Sequence, residues 1–124
     1  MVLRNANAVA SFMPGGESYG AEAHRPIDLA HLSRQAMGDH ALEHEVLQLF
    51  AQQALSVRSQ IVNTNIRERL LLAHGLKGSA RGVGAFDIAD CVTELEESPE
   101  DVLILKRLES LIDEVRDFIA EISR

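Results

Sequence analysis

Between Asp39 and Val62 the apolar residues Leu42, Val46, Leu49, Phe50, Ala54, Val57 and Ile61 recur at steps of three and four. An α-helix turns once in about 3.6 residues, so this spacing gathers the apolar side chains on one face. A strand, with its period of two, would scatter them over both faces. The same spacing returns in Leu72, Ala73, Leu76, Ala80 and Val83, then in Ala85, Ile88, Val92 and Leu95 with Cys91 alongside. It returns once more in Ile104, Leu108, Leu111, Ile112, Val115, Ile119 and Ile122. No segment alternates for long enough to make a strand. Four amphipathic helices therefore have to bury their apolar faces on one another.

The punctuation between these runs agrees. Asp28 is placed to cap a short helix on Leu29, Leu32, Ala36 and Met37 that Gly38 ends, and Asp39 to cap the long run after it. "NTN" at 63–65 breaks that run, and Asn65 with Glu68 has the spacing of a capping box. Gly82 and Gly84 supply the next exit. "SPED" reads as a further start, with Ser98 as cap and Pro99 in the first helical position. Short connections predict an all-α fold, an antiparallel up-down four-helix bundle with a short N-terminal capping helix. The domain is expected over residues 26–124. Residues 1–25, which contain "MPGGESYG", read as a flexible leader.

Composition narrows the function. The 124 residues suit one domain, and they are 46% hydrophobic but only 4% aromatic, which leaves Leu, Ala, Val and Ile to fill the core. A formal net charge of −7 disfavours nucleic acid and anionic membranes, whose phosphates are bound through Lys and Arg. Cys91, the only cysteine, cannot form an intrachain disulfide and reads as a buried apolar residue in a reducing compartment. No apolar run approaches the ~20 residues that span a bilayer, and the opening segment does not read as a secretory signal. The expected location is cytoplasmic.

One helix carries chemistry. In "LLLAHGLKGSARGVGA", residues 70–85, His74 lies at about 160° from Leu76 and about 200° from Leu72 on a wheel of ~100° per residue. It faces away from the core. Lys77 and Gly78, one turn on, flank the imidazole, and Arg81 follows. A neutral imidazole nitrogen is a nucleophile, and an imidazole that took up a phosphoryl group would put an anion on the surface that Lys77 could screen. Gly78 would let a partner approach closely, which offsets its cost of roughly 1 kcal/mol in mid-helix. Leu70 and Leu71, a turn before His74, suggest a docking patch for another protein.

"AHGLKGSARGVGA" resembles the signature of histidine-containing phosphotransfer (HPt) domains: His74, Leu76, Lys77, Gly78, the small pair Ser79 and Ala80, and Gly84, with Ala73 and Ala85 beside them. The likeness extends to "LQLFAQQA" and "ADCVTELEE", and covers about residues 27–122. It implies a phosphorelay intermediate. His74 would be phosphorylated at Nε2 by a receiver-domain aspartate of a hybrid histidine kinase and would pass the group reversibly to a response-regulator aspartate. Lys77 would stabilise the phosphoryl oxygens, and Gly78 would keep the surface open to the receiver. Ser79, Ala80 and Gly84 would allow close helix contact, and Glu96 would orient the ring through Nδ1. No small-molecule substrate, cofactor or metal is implied on this chain, since Mg²⁺ would belong to the receiver. Two departures stand out: "NTNI" replaces the Asp-aromatic pair frequent in relatives, and Gly75 is unusual in a helix.

Other readings have less behind them. "HALEH" at 40–44 matches a zinc-hydrolase pattern but no third ligand is evident. His24 and His31 are expected to face solvent. "KGSARGVG" is not a phosphate loop, because it lacks the Gly-Lys-Ser/Thr ending and a preceding strand. A histidine-kinase dimerisation domain normally has a Pro soon after its His and an ATPase domain behind it. A non-catalytic helical bundle that docks on and inhibits a kinase or receiver is the alternative function.

Overall fold

A computed structural model describes residues 25–124. Its helices are α1 (Leu29–Gln35), α2 (His40–Ile61), α3 (Ile66–Val83), α4 (Phe86–Glu97) and α5 (Val102–Ile122), and there is no strand among the described residues. The leader expected over residues 1–25 lies outside them save for Arg25, as does His24.

Side-chain caps set most of the starts. Asp28 accepts from the His31 amide at 3.0 Å, Asp39 from Leu42 at 3.0 Å, and Asn65 from Glu68 at 2.8 Å. Each satisfies an amide that the helix leaves unpaired. The start at "SPED" is corrected. Ser98 closes α4, its amide donating to the carbonyls of Glu94 and Leu95, and Asp101 caps α5 by accepting from Leu103 at 2.9 Å. The Asp101 amide donates to the Ser98 carbonyl, so the four residues form a turn between helices.

The long helices make a ring of contacts, α2 on α3, α3 on α4, α4 on α5 and α5 on α2, while α1 rests on α3 and α2. Leu76, Leu95, Leu108 and Ile112 fill the middle and are almost wholly buried. Each contributes about 1.5–3 kcal/mol by leaving water. The buried line of α2 is Leu47, Phe50, Ala54, Val57 and Ile61, and that of α5 is Leu105, Leu108, Ile112, Val115 and Ile119. Leu42 and Leu49, expected inside, are exposed because they lie about 100° from the centre of the α2 line. Ile122, in the last turn, is exposed as well. Met37 is also on the surface, in the positive-φ turn with Gly38 that ends α1.

The end of α3 is closed by α1. Gly84 has φ +90°, and a Cβ there would meet the Asp28 carbonyl at 2.8 Å. The Asp28 amide donates to the Gly84 carbonyl at 2.9 Å. The close contact expected at Gly84 is therefore with the segment leading into α1 rather than with a long helix. His31 is not simply solvated: its Nε2 donates to the Arg81 carbonyl at 3.0 Å and its ring meets Phe86 edge-on, centroids 5.1 Å apart.

Candidate functional site

The core stripe of α3 determines where its other face looks. Ala73, Leu76 and Ala80 are fully buried, and His74 consequently points outward, its side chain 75% exposed. Across from it, fully buried Leu95 anchors the last turn of α4 and sets Glu96 at the edge of the α3–α4 seam. Glu96 meets two donors of α3: its Oε2 accepts from His74 Nδ1 at 3.3 Å and its Oε1 from Lys77 Nζ at 2.5 Å. The Lys77 side chain is only 12% exposed. The Glu96 carboxyl is held below its usual range, first by the Lys77 hydrogen bond, against the opposing effect of partial burial and with a further contribution from His74. An ionised carboxylate can only accept, so the proton of the neutral imidazole sits on Nδ1. Nε2 then carries the lone pair.

Ile66, Arg67, Leu70, Leu71, His74 and Glu96 line an open depression of about 850 Å³ beside the imidazole. Leu71 is exposed, whereas Leu70 is half-buried and gives the patch less than its sequence position suggested. On the other side of His74, Gly78 is exposed, and a Cβ built on it meets nothing within 4 Å. Gly75 and Gly82 are equally open. Arg81 is exposed one turn further on. Ser79 is half-buried and donates to the Gly75 carbonyl of its own helix at 3.3 Å.

Three residues of α3 were not singled out by sequence reasoning. Ile66 and Arg67 extend the depression toward the start of α3. Arg69 is 8% exposed and donates from Nε to Ile61 O, from Nη1 to Pro99 O and from Nη2 to Val62 O, each at 2.8 Å. The signal for Arg69 was its register, four residues before Ala73 on the buried stripe. Of the zinc-like pattern at 40–44, His40 is exposed with Nδ1 at 3.4 Å from Glu43, and no group of three or more metal-ligating side chains comes together among the described residues.

The imidazole of His74 stands on the outside of the helical scaffold rather than in a closed pocket, where another protein can reach it. The chain matches the family model of the Hpt domain over residues 44–121, more than half its length, and belongs to that family, whose members carry phosphoryl groups in two-component phosphorelay signalling. The match begins within α2, so α1 lies before it. No curated protein and no solved structure matches the chain. No helix of the described residues is long and apolar enough to cross a membrane.

Proposed function

We propose that His74 is the phosphorylated residue of a phosphorelay intermediate. It accepts the group from a receiver-domain aspartate of a hybrid histidine kinase and returns or forwards it to the aspartate of a response regulator. The observation that carries this reading is the outward imidazole whose Nδ1 is committed to Glu96, which leaves Nε2 for attack. In the forward step the Nε2 lone pair forms the N–P bond, the acyl P–O bond breaks, and its electron pair returns to the receiver carboxylate. The Nδ1 proton stays on the ring, held by Glu96. The transfer is loose and in line, so positioning and charge neutralisation dominate. Lys77 supplies positive charge to the phosphoryl oxygens, and Mg²⁺ belongs to the acidic pocket of the receiver.

Leu70 and Leu71, with Arg67 and Arg81 at either end, form the surface on which the receiver docks, and Gly78 clears its approach. The scaffold reads as an antiparallel up-down bundle with α1 as its cap, supported by the pairs Gln48–Ser123 and Arg58–Asp113, which join α2 and α5 in opposite chain directions. The protein acts in the cytoplasm as a phosphocarrier with no nucleotide site of its own. The rival reading, a non-catalytic inhibitory bundle, has no observation in its favour.

Incubation with a phosphorylated receiver domain is expected to move label onto the protein as an acid-labile, base-stable species. His74→Gln is expected to abolish labelling while leaving the helical circular dichroism unchanged. A His74→Gln protein that still takes label would defeat the assignment.

A further inference from the structure

Lys77 is not waiting at the surface for an anion. Its ammonium is paired with Glu96 and its side chain is mostly buried, while the imidazole it would serve is open to solvent. A phosphoryl group on Nε2 brings nearly two negative charges to this face. We infer that Glu96 competes with that group for Lys77 and thereby shortens the stay of the phosphoryl group on His74, an inference that rests on the function proposed above.

The geometry sets the competition. Glu96 touches both the ring that carries the phosphoryl group and the only lysine within a turn of it. Moving Nζ toward the phosphoryl oxygens strips Glu96 of its cation and leaves two anions facing one another across the imidazole. Keeping Nζ on Glu96 denies the phosphoryl oxygens the charge of Lys77. Either arrangement raises the energy of the phosphorylated state. In a loose transition state the phosphoryl oxygens carry less charge than in the bound dianion. A cation on them therefore holds the group in place, and a carboxylate that draws the cation away hastens its departure. A carboxylate at this position makes the site one of transit rather than storage.

The test needs no receiver. Phosphoramidate phosphorylates histidine directly: Nε2 forms the N–P bond, the donor's own P–N bond breaks, and ammonia leaves with a proton. After the reagent is removed, loss of phosphate from His74, one of five histidines, is followed by mass analysis of the peptide that contains it. In that step a water oxygen bonds to phosphorus and the N–P electron pair returns to Nε2. Glu96→Gln keeps an acceptor for Nδ1 and removes the charge that holds Lys77. The phosphorylated Glu96→Gln protein is expected to last about threefold longer than the wild type, the size of an effect from a partly exposed charge pair. In a Lys77→Met background the same substitution is expected to leave the lifetime unchanged.

Equal lifetimes for wild type and Glu96→Gln would overturn the inference. So would equal prolongation with and without Lys77, since the effect would then act on the ring. In both cases His74 still takes phosphate, and the proposed function stands. A wild-type protein that takes no phosphate on His74 would defeat the function and the inference with it.

Discussion

Glu96 carries one negative charge and meets two donors, and its lowered pKa makes the arrangement visible in stability as well as in transfer. Because the folded carboxyl titrates below its ordinary value of about 4.3, the pair with Lys77 contributes fully above that pH and is lost as pH falls through the lowered value. The stability gap between wild type and Glu96→Gln is therefore expected at neutral pH and should close in acid, as measured by urea midpoints across the range. Arg69 makes the opposite use of charge. Its guanidinium is buried against the last carbonyls of α2 and the carbonyl of Pro99, where the helix dipole is negative. Arg69→Met would fit the apolar stripe but leave these carbonyls without donors, and should cost about 2–3 kcal/mol in urea unfolding. An unchanged midpoint would show that water replaces the guanidinium without loss. His74 was legible because the wheel alone turns it outward. The pairing of Lys77 was not, because a wheel describes one helix and Glu96 comes from another.

At the scale of the element, α3 holds three glycines and is capped by a fourth, and their consequences differ. Gly75 and Gly78 sit at ordinary helical angles with open space where a Cβ would stand, so nothing inside the chain requires them. Gly75→Ala and Gly78→Ala should each stabilise the fold by up to about 1 kcal/mol. Only Gly78→Ala should also slow exchange with a receiver, because its methyl would lie on the approached face one turn from His74. Gly84→Ala should lose about 1–3 kcal/mol, since φ is +90° and the new Cβ would press on the Asp28 carbonyl. Thermal melts of the three variants separate these signs, and a stabilised Gly84→Ala protein would contradict the contact with Asp28. Helix starts could be read wherever a single capping residue stood before an apolar run, as at Asp28, Asp39 and Asn65. They misled at "SPED", where Ser98 and Asp101 both qualify. The choice between them depends on α4 needing Ser98 to close it and on Arg69 engaging Pro99 from a third helix.

For the whole molecule, the ring of four long helices was written in the 3.6-residue period, and the sequence placed most of the core correctly. Its errors fall at the margins of each stripe: Leu47 and Leu105 are inside, whereas Leu42 and Leu49 are outside. An apolar residue off the centre of a stripe is buried only if a neighbouring helix covers it, and that depends on the partner's position. The part least legible was the integration of α1. It is only seven residues long, yet Ile27 and Leu32 belong to the same buried cluster as Leu76 and Ile112, and His31 and Asp28 satisfy or engage carbonyls at the end of α3. A helix so short has no stability of its own in water. It is held by the core and by the carbonyls it closes, and the core is in turn sealed by it. Leu32→Ala should therefore lower the stability of the whole domain by about 2–4 kcal/mol within a single transition, rather than release α1 in a separate step. Urea unfolding followed by far-ultraviolet circular dichroism and by Tm measurement should give coincident shifts. A main transition that stayed where it was, preceded by a small early loss of helix, would mean that α1 merely rests on a bundle complete without it.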